Sequence, residues 1–237
     1  GATGAVNLGA YDLTVNGLTV GKGKKDAAGT AYIYNTAVGV NALNSFTGGT
    51  KNTAFGYNAL SSVTNSSQNI AIGANAMGST TQDFQQSVAV GNQALQYNVG
   101  SFNTALGSNA VSSSNLTNTA TYLVGVGALA LFNNSSGQNN TAVGSYALST
   151  NTTGNNNTAL GQGADVTTAN LSNSTAIGYD AKVSANNTIQ LGNTSVTDIK
   201  TSGAVNAKSF YLNATNAVTA ASSTTIDLSL SNIFKVS

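Results

Sequence analysis

The chain of 237 residues contains no cysteine, histidine, proline or tryptophan, and no glutamate or arginine either. Each absence removes a class of chemistry. Without cysteine there is no disulfide, and no redox compartment can be read from the sequence. Without histidine or cysteine, nucleophile–base pairs built on those residues and His/Cys metal sites cannot be assembled within this chain. No apolar run approaches the ~20 residues that a membrane-spanning helix needs. All acids are aspartate and all bases lysine, and together they make up only 6% of the chain, against about 25% in ordinary soluble proteins. Disorder requires low hydrophobicity together with high net charge. Here 41% of residues are hydrophobic and the net charge is +1, so a folded chain is expected. The one charge cluster is Lys22, Lys24, Lys25 and Asp26. It lacks arginine and interleaved aromatics, so it reads as a solvated linker and not as a nucleic-acid site. The chain starts at Gly1 with no signal-peptide pattern, and an artificial or processed start is expected there.

What is present is a repeat. A phrase of nine residues recurs nine times, first as Asn35-Thr36-Ala37-Val38-Gly39-Val40-Asn41-Ala42-Leu43. Its glycine returns at Gly56, Gly73, Gly91, Gly107, Gly125, Gly144, Gly161 and Gly178, in steps of 16 to 19 residues. A period of this length means stacked coils, each supporting its neighbours. Position three is small in eight copies: Ala37, Ala54, Ala71, Ala89, Ala105, Ala142, Ala159 and Ala176. Position four is large and apolar throughout, from Val38 and Phe55 to Leu160 and Ile177.

The phrase alternates as a strand does, placing positions two and four on one face. Because position four is always large and apolar, this face is expected to be buried. The glycine supplies a bend, and a second short strand is expected after it. The remaining Asn, Ser, Thr and Gly residues are turn formers and poor helix formers. Each coil is therefore read as two short strands and two turns. Nine or ten coils at ~4.8 Å spacing give a rod of roughly 45 Å. So narrow a coil cannot hide all the apolar rows, and the surplus is expected to bury against other copies in a cyclic oligomer.

The phrase resembles the head repeat of trimeric autotransporter adhesins of the YadA type, over about residues 34–194. The resemblance implies an all-β fold, a left-handed parallel β-roll of nine to ten coils, packed as a homotrimer around a threefold axis. That family's repeat is often shorter, so longer loops are expected here. The wording from Asn187 to Phe210, and the opening Asn7–Gly21, resemble bacteriophage tail- and head-fibre proteins. The expected organisation is a lead-in or attachment segment at 1–33, the β-roll at 34–194 and a C-terminal β segment or cap at 195–237. Heptads and barrel-type strands, as in the autotransporter stalk and anchor, are not seen.

This resemblance implies a structural fibre protein on a virion surface. It would be joined to other virion proteins at one end and meet a host-surface glycan or protein at the other, with no nucleic acid and no membrane insertion. The head of a bacterial trimeric adhesin is the alternative, and a tailspike depolymerase a further one. No enzyme activity, cofactor or metal is expected, because the scattered aspartates fit a two-carboxylate site poorly. Asp165 and Asp180, about one coil apart, hold different phrase positions.

Three groups of residues carry finer expectations. The threonines at position two (Thr36, Thr53, Thr104, Thr141, Thr158, Thr175) form a row of the kind found on ice-binding solenoids. They are read instead as β-branched filler, because they share the face assigned as buried and Ile70, Val88 and Tyr122 interrupt them. Phe46, Phe84, Tyr97, Phe102 and Phe132 lie outside the phrase and are read as loop anchors to a neighbouring protomer, or as sugar-stacking residues. Position nine is apolar in the first seven copies and then becomes Asp165 and Lys182. These two are expected to face solvent and pair across adjacent coils.

Overall fold

Each copy of the phrase forms one strand of three residues, and these strands stack in register into a parallel β-solenoid. The computed structural model describes residues 13–15, 18–21, 34–79, 83–97, 99–113, 118–200 and 202. The coil strands are β3 (Thr36–Val38), β4 (Thr53–Phe55), β5 (Ile70–Ile72), β6 (Val88–Val90), β7 (Thr104–Leu106), β8 (Val124–Val126), β9 (Thr141–Val143) and β10 (Thr158–Leu160). They continue, after the short β11 (Asp165–Val166), in β12 (Thr175–Ile177) and, after β13 (Lys182–Val183), in β14 (Ile189–Leu191). A hairpin of β1 (Leu13–Val15) and β2 (Leu18–Gly21) precedes them and pairs antiparallel onto β3, giving one twelve-stranded sheet. β11 and β13 form a separate two-stranded parallel ladder. Two units divide the chain, Gly1–Thr197 and Asp198–Ser237. All the described strands lie in the first. Most of the segments 1–33 and 195–237 lies outside the described residues.

Glycine at position five is needed for two reasons. Gly56 has φ +140°, and a Cβ there would lie 2.6 Å from the carbonyl oxygen of Gly73 in the next coil. The backbones are too close for any side chain, and the conformation itself disfavours an L-residue. Glycine at this point lets consecutive coils touch backbone to backbone, as in the bond from Gly73 N to Phe55 O at 2.8 Å.

The inside and outside of the strands are the reverse of the sequence expectation. Position three, the alanine row, is buried in every copy that has alanine there. Position four is buried in none, and Phe55 is 56% and Leu160 49% exposed. The cause is volume. The strand lies so close to the opposite wall that only a methyl group fits inward, and the large partner must point outward.

The opposite wall also differs from expectation. After the glycine, the described residues of the first seven coils form turns and no second strand. Position seven is left-handed, as at Asn41, Asn58 and Asn109, and so is position nine, where Leu43, Leu60, Met77, Leu95, Val111, Leu131 and Leu148 have φ of 49–54°. These position-nine side chains are buried with the alanines of position eight, so this row is hidden within the chain. A left-handed leucine costs about 1–2 kcal/mol, and burying its side chain returns about 1.5–3 kcal/mol. Among the described residues, the expected second strand forms only in the last two full coils, as β11 and β13. There position nine is extended, and Val166 and Val183 fill the interior one residue later.

Position one holds the coils together from inside. Asn52, Asn69, Asn140 and Asn157 are fully buried. The Asn52 backbone N–H donates to Asn35 Oδ1 at 2.8 Å, and that of Asn69 to Asn52 Oδ1 at 3.0 Å. The Asn52 amide donates to Ser66 O at 2.8 Å. Each asparagine thus satisfies a neighbouring backbone donor and a loop carbonyl that would otherwise be buried without partners.

Copy six corrects the sequence register. Gly125 lies opposite Ala105, and Val126 opposite Leu106. Gly125 therefore takes the inward place of alanine, and the bend glycine is Gly127, with φ +126°. Position two becomes Val124, and Tyr122 moves out of the strand. In Leu123-Val124-Gly125-Val126-Gly127-Ala128-Leu129-Ala130-Leu131 both glycines are followed three residues later by Ala-Leu. A slip of two residues keeps every side chain on its own face, so alternation could not decide between them.

Candidate binding surface

Two exposed surfaces follow from this arrangement. Among the described residues no group of three or more His, Cys, Asp or Glu side chains is placed to hold a metal. No helix of the described residues is long and apolar enough to cross a membrane.

The first surface is the outer face of the sheet β3–β10, β12 and β14, formed by positions two and four. Position four runs through Val38, Phe55, Ile72, Val90, Leu106, Val126, Val143, Leu160, Ile177 and Leu191, each the register partner of the next. Beside it, position two is threonine, valine or isoleucine in every coil. Neither row has a buried member. At ~4.8 Å per coil the apolar strip is roughly 45 Å long. Burial of this face was the ground for treating the threonines as filler, and that ground does not hold. The row is still interrupted, by Ile70, Val88 and Val124.

The second surface is the corner just before each strand. Tyr34, Lys51, Gln68, Gln86, Phe102, Tyr122, Asn139, Asn156, Asn173 and Asn187 all have φ between 54° and 70°. All ten are exposed. Their left-handed backbone turns the side chains away from the core. The corner is tied from coil to coil: Phe102 N donates to Gln85 O at 3.0 Å, and Asn139 N to Thr121 O at 3.2 Å. In the middle of this column Phe102 and Tyr122 stack, with ring centroids 5.0 Å apart and planes within 4°. The other aromatics outside the phrase behave differently. Phe46 and Phe84 are buried within their own chain, and Tyr97 and Phe132 are half-buried.

The expected charge pair falls in a third place, where the column of leucines ends. Asp165 and Lys182 are direct register neighbours in β11 and β13. The ion pair is nevertheless not formed between them. Asp165 is 2% exposed, and its carboxylate accepts bonds from Ser149 Oγ at 3.2 Å, Thr150 N at 3.0 Å and Val166 N at 2.8 Å. Lys182 reaches out to Asp180 Oδ1 at 3.1 Å and donates to Gly163 O at 2.6 Å. An inward carboxylate already supplied with donors does not need the lysine, and the lysine keeps its hydration by turning to an exposed partner. Burial pushes the Asp165 carboxyl above the usual carboxylate range, while its hydrogen bonds and, least of all, Lys182 act against that shift. Asp165 is buried and Asp180 exposed, which separates the two carboxylates weighed for catalysis.

The inward asparagines were legible as a repeated letter but not as a ladder, because asparagine is by habit a turn residue. The corner column left only one trace in the sequence: the residue before each phrase is asparagine in the last four coils. Comparison with models of protein families, with curated proteins and with solved structures finds no match to this chain.

Proposed function

We propose that the chain is a structural fibre protein. It would wind left-handed, assemble as a homotrimer through the outer faces of its sheets, and project from the surface of a bacteriophage virion to support host attachment. One observation carries this reading: the in-register apolar ladder from Val38 to Leu191, unburied along its whole length in the single chain. Monomeric proteins rarely leave a contiguous apolar patch larger than about 300–600 Å² in water. A strip this long and straight matches a copy of itself aligned along the same axis. Three such strips facing one axis would close the assembly without leaving an open face. A stack of coils also suits a spacer, since length is gained by adding repeats. The site chemistry supports a binding or structural role over an enzymatic one. The chain would be extracellular, with virion proteins at one end and a host glycan or protein at the other.

Gold-labelled antibodies against the chain, imaged on intact source particles by electron microscopy, test this. Label on projecting fibres is the expected result. Label on bacterial cell surfaces alone would favour the head of a bacterial adhesin instead. Label on neither contradicts the fibre reading.

A further inference from the structure

We propose that the corner column of one copy of the chain packs against position six of the next copy. Each coil meets the same coil of its neighbour, so the copies run parallel and level around the axis. The inference rests on the fibre reading above and adds which edges of the outer face meet. Position six follows the bend glycine, so it borders the outer face on the side opposite the corner. It runs from Val40 in the first coil to Tyr179 in the ninth, and none of its members is buried. Tyr57 and Tyr179 are 54% and 68% exposed. The ladder of positions two and four is thus framed by two exposed columns.

The sizes of the two columns compensate. In the fifth and sixth coils the corner carries a ring, Phe102 or Tyr122, and position six is Ser108 or Ala128. In the eighth and ninth coils the order is reversed: the corner is Asn156 or Asn173, and position six is Gln162 or Tyr179. This compensation serves nothing within one chain. The strand between the columns, at ~3.3 Å per residue, holds them more than about 13 Å apart. It does serve a contact between copies, where a large side chain needs a small one across the gap. In a cyclic assembly each copy offers one edge to one neighbour and the opposite edge to the other. An antiparallel pair would instead set corner against corner, with different coils at one height.

The first two coils are wide at both edges, with Tyr34 and Val40 and then Lys51 and Tyr57. Phe55, the largest member of the ladder, lies in the second coil and holds the copies apart there. Lys51 forms no ion pair among the described residues. The ring of Tyr57 on the neighbouring copy offers its ammonium a partner. Both columns are fixed from coil to coil by backbone bonds. At position six these include Asn75 N to Tyr57 O at 2.8 Å and Asp180 N to Gln162 O at 2.9 Å. Aligning one coil therefore aligns the rest, and little ordering accompanies docking.

The chain contains no cysteine, so introduced disulfides report this contact without background. Two double variants of the full chain, Asn139→Cys with Ser145→Cys and Asn156→Cys with Gln162→Cys, are oxidised and run on a denaturing gel without reductant. Within one chain the paired positions are too far apart for a disulfide, whose Cα atoms lie about 4.4–6.8 Å from each other. Covalent trimers are expected from each double variant, and monomers from each single one. Asn139→Cys with Tyr179→Cys, two coils apart in height, should also stay monomeric. Unchanged circular dichroism shows that the fold survives, and the two pairs lie in different coils, so failure of one to fold leaves the other to decide. Monomers from the folded double variants overturn the proposal. So does cross-linking of a single variant, which would set like edges together, or of the pair offset in height. A trimeric mass by light scattering without cross-links would remove this docking and leave the fibre reading intact. Cross-linked rings in a chain that labels no projecting fibre would do the reverse.

Discussion

Asp165 holds a carboxylate in the interior of the coil stack. Its carboxyl is buried, and burial raises its pKa above that of an ordinary aspartate while hydrogen bonds act in the opposite direction. A folded-state pKa above the unfolded one means that the proton is held more tightly in the native chain. The stability it contributes is fully present below the unfolded pKa and is lost as pH rises through the folded pKa. Asp165→Asn should therefore raise the melting temperature at pH 7. The gain should shrink as the pH is lowered below the carboxylate range. Thermal unfolding of both proteins between pH 3 and 7 checks this, and a gain that grows on acidification would contradict it. At the same scale, the two glycines of copy six separate the alternative registers. Gly127→Ala places a side chain at φ +126° and 2.6 Å from the Gly144 backbone, whereas a Cβ on Gly125 comes as close only to a side chain, Val111 Cγ2 at 2.6 Å, and meets the Ala130 backbone at an ordinary 3.5 Å. Gly127→Ala should cost about 1–3 kcal/mol, and Gly125→Ala clearly less, as read from denaturant unfolding. The opposite order would restore Gly125 as the bend.

At the scale of the element, a coil strand of three residues has no stability alone and exists because its neighbours pair with it. Ala105 shows how tightly. It is fully buried and stacks between Ala89 and Gly125. Ala105→Phe should destabilise by ~1–3 kcal/mol or more, while Thr104→Phe, on the outer face of the same strand, should leave the fold of the chain intact. Equal losses in chemical denaturation would contradict the assigned faces. Here, too, one sees what the sequence makes legible. The period, the strands and the special glycine are written in the spacing of Ala37-Val38-Gly39 and its copies. The direction of the faces is not, because hydrophobicity favours burying Val38 and Phe55 while the width of the coil admits only Ala37 and Ala54. The second strand was misread for a related reason. Ala42-Leu43 has the alternation of a strand, and leucine gives no sign that it is left-handed. The change at Asp165 and Lys182 was visible as a change of letter. Its consequence was not, because Val166 and Val183 take over the interior one position later. Of the candidate surfaces, Phe102 was noticed as an aromatic outside the phrase. Its partner Tyr122 falls within the strand in the alternative register, which hides the pair.

At the scale of the whole molecule, the asparagines of position one and the glycines of position five keep the coils in register, and that register aligns the outer ladder. Alignment is what turns ten separate apolar residues into one continuous strip. A charge in its middle should act on assembly far more than on the coil. Leu106→Asp leaves the inward neighbour Ala105 untouched, yet in a symmetric assembly it sets like charges of every copy close together around the axis. The expected outcome is dissociation with retained β-structure. The most direct test of the central claim is the molar mass of the purified chain by multi-angle light scattering, beside its circular dichroism spectrum. The expected result is a β-rich species of three times the 23.6 kDa chain mass. A monodisperse, folded species of the single-chain mass would show that the ladder is left to solvent, and would contradict the account.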